Sequence, residues 1–317
     1  MKAYQKIRVA VIGAGYMAHE HLRAFDDCSG VQLVGVHSRS PKRIAKITEK
    51  YPFIQIASSI NELWEKTRPD LVIIAVPILA CVEVCKEAFK YRWTLLIEKP
   101  VGHNLEEAKQ IEAEAQTLNA KAYVALNRRF YGSTLRLQKY LEHNDEVRLI
   151  NILDQEDTIE ALAAGQPVEV VKNWMYANSI HLIDYFNQLC RGELVNTKVL
   201  SPWRPELPGP VLAQLSFSSG DIGLYQAAWN APGPWSVTVS TQQFRGELRP
   251  IEQLGVQKAG ERHLKQEATD SIDQDFKPGL RRQADAAICA VQGKEHKLPT
   301  IAEANKSMNI VEAIYGM

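Results

Sequence analysis

The sequence predicts an α/β protein: an N-terminal doubly wound parallel sheet of the Rossmann type, followed by a C-terminal α+β domain with an open, mostly antiparallel sheet. Short apolar runs alternate with amphipathic stretches over the first 125 residues, a glycine-punctuated turn follows the first run directly, and beyond residue 147 the apolar pattern changes to period two. At 317 residues the chain exceeds what one core organises, so two domains are expected, residues 1–125 and 126–317.

The first strand is Ile7-Arg8-Val9-Ala10-Val11-Ile12, and it enters Gly13-Ala14-Gly15-Tyr16-Met17-Ala18 before a helix over 18–25. Gly13 permits a tight turn, Gly15 has no side chain to block a pyrophosphate, and Ala18 lets the helix pack closely on the strand. Backbone amides at the helix start, with Tyr16 and Met17 in its first turn, would bind the phosphates of a nicotinamide dinucleotide. Further strands are expected near 31–36, 53–57, 71–76, 93–97 and 121–125, and helices over 42–50, 80–90 and 105–118, the last with Asn104 as N-cap. Ligands on such a sheet bind outside the strands' carboxyl ends, here Gly13, His37-Ser38, Val76-Pro77, Glu98-Lys99 and Leu126-Asn127.

After a helix over 133–141 the second domain should contain strands at 147–153, 194–200, 211–217, 222–229, 236–242 and 244–248. A helix over 174–189 interrupts them, and two more, 279–291 and 302–314, close the chain. Acidic 154–160, proline-rich 201–210 and polar 258–275 are expected to be solvated connections.

Composition narrows the partners. Lys plus Arg equals Asp plus Glu at 37 each, without long blocks of one sign, which argues against nucleic acid or an acidic membrane. The longest apolar run, 71–82, is broken by Pro77 and the start of the chain lacks a secretion signal, so a cytoplasmic protein is expected. Five cysteines lack paired zinc spacing, so no metal is expected, and Cys81 and Cys85 are expected to be core thiols sharing a helix face.

An acid at the end of the second strand would bind the ribose hydroxyl of NAD. This chain has His37-Ser38-Arg39-Ser40-Pro41-Lys42-Arg43 there. Arg39 can pair with a 2'-phosphate and Ser38 can donate to it, so NADP is expected, with NAD the alternative.

The fifth strand ends in Glu98-Lys99-Pro100. With the glycine turn, Asn127-Arg128-Arg129-Phe130 and Ile180-His181-Leu182-Ile183-Asp184, this makes the chain resemble the Gfo/Idh/MocA (glucose-fructose oxidoreductase and inositol dehydrogenase) family over essentially its whole length. The resemblance implies NAD(P)-linked oxidation or reduction of sugars, cyclitols or their derivatives at an active site between the two domains. It also implies that Lys99 and His181 are active-site residues, that Asn127 lies near the cofactor, and that the open sheet face packs on another subunit, as a homodimer or homotetramer. One position departs from the pattern: where inositol-dehydrogenase-like members carry D-x-x-x-H, Ala177 stands in place of the aspartate.

The chemistry needs a proton relay and a group that stabilises charge on the substrate oxygen. Imidazole titrates near neutrality, which makes His181 the relay, and Lys99 would hydrogen-bond the same oxygen. Asn178, three residues before His181, would bind a substrate hydroxyl, while Asp184 is expected to be structural and Lys172, Asn173 and Tyr176 are possible cleft residues. Two other functions compete: a cofactor-binding regulator with a decayed site, suggested by Ala177, and a non-redox enzyme using transient oxidation.

Overall fold

The computed structural model describes residues 6–316. They form two compact units: one runs up to Phe130 and includes Gln274–Ala304, and the other comprises Tyr131–Asp273 with the segment from Asn305 onward. The boundary expected at 125 thus falls after Phe130, and a stretch assigned by sequence to the second domain belongs to the first.

In the first unit β1 (Ile7–Ile12), β2 (Val31–His37), β3 (Gln55–Ala57), β4 (Leu71–Ile74), β5 (Thr94–Glu98) and β6 (Lys121–Ala125) form one sheet in the order β3-β2-β1-β4-β5-β6, every pair parallel. The strands are buried on both faces, which is why they read as unbroken apolar runs. Between them run α1 (Tyr16–Asp26), α2 (Pro41–Lys50), α3 (Ile60–Thr67), α4 (Cys81–Ala88) and α5 (Leu105–Thr117). Helix α3 lies where apolar spacing alone predicts none, and the Ser59 side chain caps it by accepting from the Glu62 amide. Asn104 caps α5 as expected. Cys81 and Cys85 are buried on one face of α4 with their Sγ atoms 3.8 Å apart, as core thiols.

In the second unit α6 (Gly132–Leu141) precedes β7 (Leu149–Glu156), and α7 (Thr158–Ala163), α8 (Val168–Lys172) and α9 (Ile180–Leu189) follow it. Then come β8 (Leu194–Ser201), β9 (Val211–Phe217), β10 (Ile222–Trp229), β11 (Ser236–Ser240), β12 (Phe244–Leu248), β13 (Leu254–Lys258) and β14 (Lys265–Gln266). The sheet order is β14-β13-β12-β11-β7-β10-β9-β8, and every pair is antiparallel except β7 with β10. Strict alternation of buried and less buried residues in β9 and β10 matches a sheet with one covered face. The polar stretch 258–275 holds β14 and the short helix α10 (Ser271–Asp275).

The two closing helices divide between the units. α11 (Leu280–Val291) packs Leu280, Ala284, Ala287 and Ala290 into the core that α1 builds on the first sheet, and α12 (Ile301–Tyr315) begins in the first unit and continues into the second. Next to α11, the Val124 amide donates to the Pro299 carbonyl at 2.9 Å and the Lys121 ammonium to the Ala290 carbonyl, so this segment covers the edge of β6.

Candidate functional site

In the first unit the carboxyl edge of the sheet is assembled around Gly13. Its φ is +111°, a backbone conformation that favours glycine, and its amide donates to the His37 carbonyl at 2.8 Å, joining the ends of β1 and β2. A Cβ at Gly13 would sit 2.6 Å from the Ala75 carbonyl carbon, so the turn passes hard against the end of β4. Gly15 is different: a Cβ there would meet nothing within 4 Å. It is the N-cap of α1 in extended conformation, no side chain caps the helix, and no acid stands in its first turn, where Tyr16 is exposed, Met17 half-buried and Ala18 fully buried. An uncapped helix start beside open space fits a phosphate, and the residues present therefore fit a dinucleotide.

At the end of β2, Ser38 is half-buried, and Arg39, Lys42 and Arg43 are exposed, a local positive surface. Val76 and Pro77 follow β4, Pro77 being exposed at the start of a short 3-10 turn, Ile78–Ala80. Lys99 is half-buried and directly follows β5, with the Lys99–Pro100 peptide cis. These residues share one edge of one sheet. Two expected cofactor contacts are otherwise engaged: Glu98 Oε1 lies 2.6 Å from Nε2 of His21, and the Asn127 amide donates to the Pro278 carbonyl at 3.1 Å.

In the second unit the expected continuous helix 174–189 is interrupted. Met175–Ser179 is a π-helical segment, and α9 starts after it. Such segments widen the helical turn and recur at functional sites. His181 is half-buried, and its Nδ1 is shielded from solvent with no hydrogen-bond partner among the described residues. Asn178 donates from Nδ2 to Glu156 at 2.9 Å, which leaves its Oδ1 as the acceptor it can present, and the Ser179 hydroxyl donates to the other Glu156 oxygen at 3.1 Å.

Glu156 and Asp154 correct the acidic-loop reading of 154–160. Both lie in β7, 1% and 2% exposed, on the face of Ile150 and Ile152. Burial and the neighbouring Asp154 push Glu156 well above the usual carboxylate range, and burial raises Asp154 too. The Tyr225 hydroxyl donates to Asp154 at 2.7 Å and meets the Tyr315 hydroxyl at 2.8 Å. Every second residue of β7 points inward up to Glu156, so the alternation was readable, but acidic side chains masked it. Tyr176 is also core rather than cleft: it is 1% exposed and its hydroxyl donates to Glu312. Asp184 is structural as expected, accepting from Ser307 at 2.6 Å and Gln188 at 2.9 Å. Among the described residues no cluster of three metal-ligating side chains occurs, and no helix is long and apolar enough to cross a membrane.

Residues 7–126 match the model of an oxidoreductase family with an NAD-binding Rossmann fold, GFO_IDH_MocA. The chain is 24% identical over 241 residues to 4-carboxy-2-hydroxymuconate-6-semialdehyde dehydrogenase of Sphingobium sp., covering 72% of this chain and 74% of that one. It is 23% identical over 320 residues to inositol 2-dehydrogenase 2 of Paenarthrobacter aurescens, covering 96% and 92%. Five further curated oxidoreductases are matched over half of their own length or less. The fold superposes on UDP-N-acetylglucosamine 3-dehydrogenase of Acidithiobacillus ferrooxidans with a TM-score of 0.79 at 15% identity, over 98% of this chain and 97% of that one.

Proposed function

We propose that this chain, whose residues 7–126 match the Gfo/Idh/MocA oxidoreductase model, is an NADP-preferring dehydrogenase or reductase acting on a hydroxyl or keto carbon of a sugar, cyclitol or nucleotide-linked sugar. The observation that carries this is the turn at Gly13 and Gly15, open at the start of α1, on the same sheet edge as Lys99. The dinucleotide, when bound, accepts or donates the hydride. Gly13, Gly15 and the first-turn amides of α1 hold its phosphates, and Ser38 and Arg39 recognise a 2'-phosphate by hydrogen bond and charge. Val76, Pro77 and Lys99 line the same sheet edge.

Lys99 donates a hydrogen bond to the substrate oxygen and stabilises charge there. His181 holds and moves the proton of that oxygen, its buried Nδ1 having no hydrogen-bond partner among the described residues. Asn178 accepts from a substrate hydroxyl through Oδ1. The inositol and UDP-sugar relatives support a polyhydroxylated substrate, whereas the Sphingobium relative acts on a semialdehyde, so the screen spans both classes. The face of the second sheet that carries Asn151, Leu153, Leu212, Gln214, Leu224 and Gln226 is only partly covered, and we assign it to a homodimer or homotetramer contact.

Fluorescence titration with NADPH and NADH, then an absorbance screen of cyclitols, sugars, sugar nucleotides and semialdehydes, tests this. Wild-type turnover should fall at least about a hundredfold in Lys99→Ala and in His181→Ala. Full turnover in both variants refutes the assignment, and tight cofactor binding without turnover across the screen favours a regulator. Arg39→Asp should weaken NADPH more than NADH, and a single species at monomer size in gel filtration would remove the oligomer.

A further inference from the structure

His21 received no role from the sequence. It lies on α1, its side chain is 1% exposed, and its Nε2 is 2.6 Å from Oε1 of Glu98, whose side chain is 12% exposed. His21 lies six positions beyond the N-cap Gly15, about 9 Å along the helix at 1.5 Å per residue. Glu98 is the last residue of β5, two strands from β1 in the sheet order and so about 10 Å to its side.

The contact therefore reaches across β4. It joins the helix whose start faces the phosphates to the strand end from which Lys99 emerges. Elsewhere α1 packs chiefly on β1, β2 and α11. A carboxylate only accepts hydrogen bonds, so Nε2 of His21 is the donor, and both partners are withdrawn from water far enough that losing one leaves the other costly to hold.

We propose that His21 and Glu98 form a brace that sets the separation between the pyrophosphate turn and Lys99, which makes both of them positioning residues for the dinucleotide rather than ligands of it. This rests on the proposed cofactor. It also gives Glu98 a role distinct from the direct contact expected of it: the glutamate holds the edge of the site in register while the lysine beside it faces the chemistry. An amide at either position preserves the brace, because glutamine at 98 still accepts and glutamine at 21 still donates from nearly the same point.

NADPH fluorescence titrations and thermal melts of wild type, Glu98→Gln, Glu98→Ala, His21→Gln and His21→Leu test this without any substrate. Glu98→Ala and His21→Leu should bind NADPH about tenfold more weakly or worse, and a protein carrying both substitutions no worse than either single one. Glu98→Gln and His21→Gln should stay within about threefold of wild type. If Glu98→Gln binds as poorly as Glu98→Ala, the charge itself contacts the cofactor and the brace is refuted. If every variant binds like wild type while melting earlier, the pair holds only the fold, and the proposal falls. A wild-type protein that binds neither NADPH nor NADH overturns the cofactor reading first. Should His21→Leu fail to fold, the comparison of Glu98→Gln with Glu98→Ala, at a partly exposed position, decides the matter alone.

Discussion

Alanine at Gly15 would put a methyl group where nothing in the protein lies within 4 Å, whereas alanine at Gly13 would drive one to 2.6 Å from the Ala75 carbonyl carbon and 3.3 Å from the Val76 nitrogen. The two glycines of one turn should therefore fail in opposite ways. At Gly15 φ is −81° and ψ −175°, which alanine adopts without strain. Replacing an N-cap glycine by alanine costs about 0.5–1 kcal/mol, and the stiffer unfolded chain returns about 0.4–1 kcal/mol, so net stability should move by no more than about 0.5 kcal/mol. That is about 1–2 °C in Tm for a protein of this size. The methyl group would, however, occupy the approach of a pyrophosphate, and overpacking of about 1–3 kcal/mol weakens NADPH binding roughly five- to 150-fold. At Gly13 the left-handed backbone costs alanine about 1–2 kcal/mol and the backbone overlap adds a similar or larger amount, about 2–5 kcal/mol together. Tm should fall by roughly 5–15 °C before any cofactor is added. Differential scanning fluorimetry with and without NADPH reads both effects. Equal melting temperatures for the two variants without cofactor, or unaltered NADPH affinity in Gly15→Ala, would refute the division of labour.

Two further predictions concern the second unit. Asp221, fully buried, accepts from the Arg148 amide at 2.9 Å and from Arg191 through a backbone and two side-chain contacts; burial alone would raise its pKa, but the Arg191 and backbone hydrogen bonds prevail and hold it down at about 2. A depressed native pKa adds stability above the ordinary aspartate value that disappears as pH falls through about 2, here about 2 kcal/mol; Asp221→Asn should lose it at pH 7, and urea melts should show wild type and variant converging in acid. Glu156 behaves oppositely: its raised pKa means that the native state keeps a proton the unfolded chain releases above about 4.5, so wild-type stability declines as pH rises past that value. Glu156→Gln copies the neutral carboxyl and should gain on wild type as pH rises past about 4.5; a difference independent of pH would show that the carboxyl is not held neutral.

The parallel sheet was legible because its strands are apolar on both faces, and that periodicity survives any detail of tertiary packing. The glycine turn was legible too, since Gly13 and Gly15 answer to steric rules that a sequence states openly. Glu156 was not, because a carboxyl reads as solvated unless one knows that Asn178, Ser179 and a second buried acid receive it. Neither was His21, whose partner stands 77 residues away. The π-helical segment before α9 leaves no trace in apolar spacing, and β13 and β14 fall where polar residues outnumber apolar ones.

The return of Gln274–Ala304 to the first unit has a practical consequence for anyone who wishes to cut this molecule. An expression product ending at residue 125 would bare the apolar flank of α1 that Leu280, Ala284, Ala287 and Ala290 normally cover, and leave the margin of β6 open to strange strands. Only a gene rearranged to fuse the late helix to the early sheet would yield that half as a soluble piece, and evolution faces the same constraint when it exchanges parts.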